Sequence, residues 1–374
     1  MLNYISIKNF KSLKNISLDL KGLNLFLGLN SMGKSSVMHA LLMLRQSYAK
    51  NNSMNCLYIN GELVSLGNSK DIFFQNAAED DYITFELQNN NANFEVSYCY
   101  KTNIDTLDSK YVEKANAEKL SLFGNRFFYL AANHIEPAKT YKTNNAASNY
   151  LNPIGNNGEN VPYMLSKIEN KKLENEILMH PKSKSDLVFH ELDAWMSEIT
   201  PGTKILAKEV VNLDIVKMTI QHRIKQKIAD DKYIDEYTDK FSPVNVGFGI
   251  PYVLPLVFCL LTSQSNDLIL IENPESHLHP RGQAQLGKLI SLAAQNGAQI
   301  LCETHSDHVI NGMRVNVKKH LIDSDKIKLF YFTKSQETSL ETEIRPIVID
   351  KNGELSDYPS GLLDEWGNLM AELI

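Results

Sequence analysis

The run Gly28-Leu29-Asn30-Ser31-Met32-Gly33-Lys34-Ser35 has the residue types and spacing to hold a chain of phosphates. It fits G-x-x-x-x-G-K-[ST], in which glycines let backbone N–H groups approach phosphate oxygens. Lys34 then reaches the β- and γ-phosphates, and the Ser35 hydroxyl serves as a Mg²⁺ ligand. Asn30, Ser31, Met32, Gly33, Lys34, Ser35 and Ser36 are therefore the expected binding residues, with ATP and Mg²⁺ as the expected ligands. Such a loop needs an acidic partner for the metal and for water. The apolar run Leu268-Ile269-Leu270-Ile271 ends in Glu272, which a buried strand would place at the carboxyl edge of its sheet, beside the loop. Glu272 is expected to ligate Mg²⁺ directly or through a water.

The elements around these residues are legible. Residues 4–10, 16–20 and 23–27 read as strands. Residues 35–48 read as a helix with Val37, Leu41 and Leu44 on one face. Residues 57–75 read as a turn-rich connector. Alternating residues 81–88 and 94–100 read as half-buried antiparallel strands, and 127–131 as another strand. Residues 140–160, rich in Asn and Gly, read as a long loop. A helical pattern covers 163–199, with Leu192, Trp195, Met196 and Ile199 on one face. Residues 204–211 and 214–223 read as a strand pair. Later come a buried helix at 253–261, a strand at 268–271, a helix at 281–295, a strand at 299–303 and a helix at 308–317. Strands at 328–333 and 344–349 and a short amphipathic tail at 357–374 complete the pattern.

The chain has 374 residues, 43% hydrophobic and 22% charged, and a formal charge of −6. That length suits one large or two modest domains, and the net charge supplies no global attraction to nucleic acid. No apolar run spans a bilayer, and the start lacks the basic and apolar regions of a signal peptide. Four scattered cysteines form no C-x-x-C pair. A cytoplasmic protein is the expectation.

Further motifs give a family likeness. Ile7-Lys8-Asn9-Phe10-Lys11-Ser12, the Gly28–Ser36 loop, the run Glu272-Asn273-Pro274-Glu275-Ser276-His277-Leu278-His279-Pro280, and Glu303-Thr304-His305-Ser306 together resemble ABC-class ATPases of the RecF/SMC/OLD kind. The likeness runs from end to end. It implies a P-loop α/β fold of ABC type: a mixed sheet with antiparallel N-terminal strands, a helical and β-hairpin insertion, and a short C-terminal extension. The implied divisions are 1–160 with the phosphate loop, 161–240 as insertion, 241–335 with the second half of the site, and 336–374 as extension. It implies a nucleotide-side role for Lys11 and a γ-phosphate-sensing role for His305. Gln75 is the candidate for the glutamine that completes metal or water coordination, with Asp71 in the same connector a comparable candidate and Gln46 a competitor that lies far along its helix.

Two departures stand out. The class places a glutamate after the Walker B acid as general base, whereas this chain has Asn273, which orients water but cannot take its proton. Either Glu275 or His305 is expected to substitute, or turnover is expected to be slow. The class also presents Ser-x-Gly to the γ-phosphate held by the opposite subunit. Here the candidate is Asn245-Val246-Gly247-Phe248-Gly249, where Asn245, Gly247 and Gly249 offer side-chain and backbone donors; the plain alternative is a glycine turn into a buried helix.

The resemblance implies a homodimer that sandwiches ATP head to tail and signals through that change to a separate effector such as a nuclease, in the setting of phage defence. Two other readings stay open: a RecF-like repair ATPase that binds DNA, for which the basic stretch 217–232 is a candidate, and a scaffold that binds ATP without hydrolysing it. His277, His279, His305 and His308 all fall inside these motifs, which leaves little reason for a transition-metal site. No nuclease module is recognisable.

Overall fold

The computed structural model describes residues 1–75, 81–144, 151–229, 232–335 and 340–373. The chain opens with an antiparallel pair, β1 (Tyr4–Phe10) and β2 (Leu13–Asp19), then β3 (Leu23–Leu27), every residue of which is buried. Helix α1 (Lys34–Lys50) follows, starting where Gly33 takes a left-handed φ of 98°. Next come β4 (Cys56–Tyr58), the short α2 (Ser69–Ile72), β5 (Tyr82–Asn89), β6 (Ala92–Cys99), β7 (Thr106–Ala115), β8 (Phe127–Leu130) and β9 (Tyr141–Lys142). The middle holds α3 (Val161–Ser166), α4 (Val188–Ile199), β10 (Thr203–Val210), β11 (Ile215–Ala229) and β12 (Lys232–Tyr237). The last third holds α5 (Gly249–Leu261), β13 (Leu268–Glu272), α6 (Pro280–Gln295), β14 (Gln299–Glu303), α7 (Asp307–Lys318), β15 (Ile327–Lys334), β16 (Thr342–Ile347) and α8 (Glu365–Glu372).

Three sheets result. The first is antiparallel, in the order β2-β1-β5-β6-β7-β4. The second runs β16-β15-β3-β14-β13-β8, parallel except for β16. Its middle strands are apolar on both faces because each face is covered, as parallel sheets require. Leu25, Ile271 and Ile300 face a core shared with α5, α6 and α7, while Phe26, Leu270 and Leu301 face α1 and the antiparallel sheet. The third sheet is β10-β11-β12, with β9 pairing β11. This is the mixed α/β architecture with antiparallel N-terminal strands that the motifs imply.

Several elements differ from the sequence expectation. The connector at 57–75 contains part of β4 and all of α2, the latter held by a capping box between Asn68 and Asp71. Strand β7 is unanticipated: Thr106–Ala115 is largely polar and exposed, and it is a strand because β6 and β4 pair with it. The helical pattern at 163–199 is two helices, separated by Pro181 and the Lys- and Ser-rich residues after it, while Leu173 and Leu178 bury without helical spacing. Helix α5 starts at Gly249 rather than 253, because Pro251 lies in the first turn, where a backbone N–H has no helical partner anyway. The long loop at 140–160 contains β9, and its residues 145–150 lie outside the described residues. So do Asp230 and Asp231 of the basic stretch. Among the described residues no helix is long and apolar enough to cross a membrane.

Candidate functional site

The parallel strand order brings the candidate residues to one sheet edge. β3 delivers the phosphate loop, β14 lies beside it, and β13 is one strand further out. The loop's shape depends on its glycines. Gly28 has φ 126°, and a Cβ there would sit 2.3 Å from the Phe332 carbonyl oxygen. Gly33 has φ 98°, and its Cβ would sit 2.5 Å from Thr342 Oγ1 and 2.8 Å from Ser12 Oγ. Ser31 is also left-handed, at φ 63°. Alternating handedness of this kind turns successive N–H groups inward as an anion cradle. The first turn of α1 has no side-chain cap and no acidic residue, so its positive end is open to an anion. These features fit a bound phosphate chain.

Lys34 is buried, and its Nζ donates to the carbonyls of Gly28 (2.9 Å) and Leu29 (2.8 Å). Burial lowers its pKa, while Glu303 and then Glu275 counter that by raising it. The Ser35 hydroxyl donates toward the Glu303 carboxylate, 2.8 Å from Oε2 and 3.0 Å from Oε1. Lys34 Nζ is 4.0 Å from Glu303 Oε1. Glu303 was not among the residues singled out from sequence; an acid ending an apolar strand was the available signal, the same one that marked Glu272. Glu303 and Glu272 are register partners at the ends of β14 and β13. Glu272 accepts from the Tyr129 hydroxyl at 3.1 Å. Burial first, and the charge of Glu303 second, push its carboxyl up to about 7. Burial likewise raises Glu303. Two neighbouring carboxyls that both resist ionising form a site that welcomes a dication.

Glu275 has a different place. Its Oε2 accepts from the Thr304 hydroxyl at 2.7 Å and its Oε1 from the His305 backbone N–H at 2.8 Å. It thus braces the turn that carries His305. His305 is exposed, yet partial desolvation by the surrounding chain, and after it the nearby Lys34 charge, lower its pKa. Asn273 is left-handed at φ 47°, its N–H donates to the Glu303 carbonyl at 2.9 Å, and its buried Oδ1 has no hydrogen-bond partner among the described residues.

A cavity of about 680 Å³ opens beside the loop, lined by Lys11, Ser31, Phe73, Gln75 and Tyr100 among others. Lys11 Nζ lies 2.9 Å from His39 Nδ1. The Phe73 and Tyr100 rings are 4.5 Å apart. Gln75 therefore shares a wall with the loop, while no hydrogen bond joins it to Ser35 among the described residues. Gln46 is settled differently. Its amide donates to the Tyr58 and Val64 carbonyls and accepts from the Leu63 and Val64 N–H groups, so it fastens α1 to the following segment. Gln46→Ala strands those groups and is expected to cost about 3 kcal/mol in a urea melt, with nucleotide affinity little changed.

Asn245, Gly247 and Phe248 are exposed just before α5. A Cβ on Gly249 would sit 2.4 Å from the His277 carbonyl oxygen, whereas one on Gly247 would meet nothing within 4 Å. Phe248 lies 5.9 Å from the His277 ring. Among the described residues no hydrogen bond joins Asn245, Gly247 or Gly249 to the phosphate loop.

Residues 23–311 match the family profile described as "AAA domain, putative AbiEii toxin, Type IV TA system". The chain belongs to this AAA domain family. Residues 322–373 match a second profile, described as a protein of unknown function, DUF3696. No match is found among curated proteins. Among solved structures, the AAA domain chain is similar to an SMC head bound to the C-terminal winged-helix domain of ScpA, with 13% identity over 94% of this chain and 98% of that one, at a TM-score of 0.53. It is also similar to an SMC head domain with an extended coiled coil bound to the C-terminal domain of ScpA derived from Pyrococcus furiosus. That match has 10% identity over 100% of this chain and 99% of that one, at a TM-score of 0.51. At such identities the likeness is one of fold. This AAA domain chain thus has the P-loop α/β fold seen in SMC head domains.

Proposed function

We propose that this ATPase hydrolyses ATP slowly, with Mg²⁺, and that two copies close head to tail around the nucleotide to control a separate effector. The observation that carries the reading is the cluster in which Lys34, Ser35 and Glu303 meet at the edge that also holds Glu272. Ser35 and Glu303 are the pair placed to hold Mg²⁺, which would neutralise phosphate charge. Lys34 stabilises negative charge on the β- and γ-phosphates. Glu272, held by Tyr129, takes the proton of the attacking water, a task for which a carboxyl near pH 7 is suited. His305, braced by Glu275, reports on the γ-phosphate. Lys11 and the Phe73 and Tyr100 rings line a cavity suited to the ribose and base.

The dimer follows from the second motif. Asn245 and Gly247 are exposed, and no contact among the described residues accounts for the glycine at 247. A donor set that faces outward fits a γ-phosphate held by another copy. The bistable element is then the dimer itself, biased by γ-phosphate contacts. An effector nuclease in phage defence is the output this reading favours. The test is mass measurement and phosphate release with and without ATP and Mg²⁺. A doubled mass with ATP and Mg²⁺, together with release above background, supports the reading. An unchanged monomer mass removes the sandwich, and a dimer that releases no phosphate leaves the ATP-bound scaffold.

Asn273→Glu tests the assignment of the base. Glu272 already fills that role, and a left-handed backbone disfavours Glu by about 1 kcal/mol. The variant is expected to melt earlier and to release phosphate at no more than the wild-type rate. A gain of about 10²-fold or more, the scale of an added general base, would take the base role from Glu272.

A further inference from the structure

We infer that α8 is a docking helix for a second copy of this chain, seated in the lysine-bearing cavity of that copy's β10–β11 sheet; the inference rests on the head-to-tail reading above. Helix α8 has no buried residue. Its apolar side chains Trp366, Leu369, Met370 and Leu373 recur at one-face spacing and are 76%, 51%, 40% and 79% exposed. An exposed apolar stripe of this length marks a contact surface. The helix is acidic: Asp364, Glu365 and Glu372 flank the stripe, and residues 357–373 contain no Lys or Arg.

The helix is anchored beside the phosphate loop. The Tyr331 hydroxyl donates to the Ser360 carbonyl at 2.7 Å, and the Gly361 N–H donates to the Asp364 carboxylate at 3.0 Å. A Cβ on Gly361 would sit 3.8 Å from Leu29 Cδ2, and Leu29 itself is 59% exposed. The stripe thus starts from the side of the molecule that holds ATP.

The matching surface lies beside the other half of the proposed contact. A cavity of about 870 Å³ has Leu165, Phe189 and Ile205 in its lining together with the exposed Lys208, Lys217 and Lys240. Lys208 and Lys217 are direct cross-strand partners, an arrangement that disfavours itself until an anion sits between them. Of the two acids in the lining, Glu209 is already paired with Lys167, and Glu169 is the other. From Lys240 an exposed apolar strip of Phe241, Val244 and Phe248 leads to Asn245 and Gly247. When the phosphate loop of one copy meets that segment of the other, the acidic, apolar helix and the basic, apolar cavity are brought into the same neighbourhood. Each copy then supplies one helix and one cavity, which closes the pair.

The test uses the full chain with ATP and Mg²⁺, read by light-scattering mass over a concentration series. Leu369→Asp with Leu373→Asp, and separately Lys208→Glu with Lys217→Glu, are each expected to weaken the dimer about tenfold or more. All four positions are exposed or half-buried and outside the nucleotide cluster, so the fold and ATP binding should hold; a melt and a nucleotide titration check both. Combining the lysine reversal with Glu365→Lys and Glu372→Lys is expected to recover most of the lost affinity. Trp366 emission should shift to the blue with dimerisation; Trp195, buried and bonded to the Leu178 carbonyl, supplies a constant background. A wild-type dimer that all variants match, with unmoved Trp366 emission, overturns the helix dock and leaves the ATP sandwich standing. A wild type that stays monomeric with ATP overturns both. A blue shift at monomer mass means the helix seats on its own chain and overturns the second copy. Loss of duplex-DNA binding on lysine reversal, with mass and emission unchanged, assigns these lysines to nucleic acid and also overturns the dock.

Discussion

Glu272→Gln is expected to lower phosphate release at saturating ATP by about 10²–10⁴-fold, the span of a lost general base. The amide keeps the shape of the carboxyl and its acceptor for the Tyr129 hydroxyl, so the loss should fall on turnover, with ATP affinity nearly unchanged. The sign of the pH dependence is fixed by the role. Only the ionised carboxylate accepts a proton, and burial together with Glu303 holds this group at about 7 in the free protein. Wild-type kcat/KM should therefore climb as pH rises through that region and fall below it. In the Gln variant that limb should be flat. A loss under about threefold, or a limb unchanged by the substitution, would remove Glu272 from the role.

Lys34→Ala carries the other large effect. Lys34 sits almost fully inside the loop, with its ammonium fixed by the Gly28 and Leu29 carbonyls and facing Glu303. Loss of a preorganised positive charge at the transferring phosphate is worth about 10²–10³ in turnover, and the ground-state phosphates lose it too. Phosphate release and calorimetric ATP affinity should both fall. Lys34→Arg should not rescue, since the slot is built for a compact ammonium rather than a planar fork. Glu303→Gln separates the metal from the phosphate: its loss should shrink as Mg²⁺ is raised, whereas that of Lys34→Ala should not. A Glu303→Gln defect indifferent to Mg²⁺ would sever the Ser35–Glu303 pair from metal binding.

Much of this arrangement could be read from the chain before any coordinates. The strands Leu23–Leu27 and Gln299–Glu303 coincide with their sequence expectation because a parallel strand covered on both faces is a short unbroken apolar run. The polar β7 carries no such mark, since what makes it a strand is the edge of β6. At the site, the phosphate loop announces itself locally, and the acid on β13 does too. Glu303 carries the same signal, an acid ending an apolar run, beside the better-marked His305. That it touches Ser35 depends on β14 lying between β3 and β13, an order that no local pattern encodes. Gln46 shows the converse: a glutamine on the right helix for metal coordination, whose amide is fully occupied by backbone at 58–64. The amphipathic tail expected at 357–374 contains the helix α8, with Trp366 on its apolar face, but that face is bare.

The two family profiles meet between residues 311 and 322, yet the molecule has no seam there. β15 pairs directly with β3, and the Thr342 hydroxyl donates to the Met32 carbonyl at 2.9 Å and lies 2.8 Å from Ser12 Oγ, bolting the loop from 310 residues downstream. On the ribosome, then, the turn that grips phosphate is made 310 residues before the segment that completes its packing. A nascent chain halted at the first profile's end would expose the flank of β3 as a sticky edge, and nucleotide could not rescue it. The trailing profile is in this sense the clasp of the leading one.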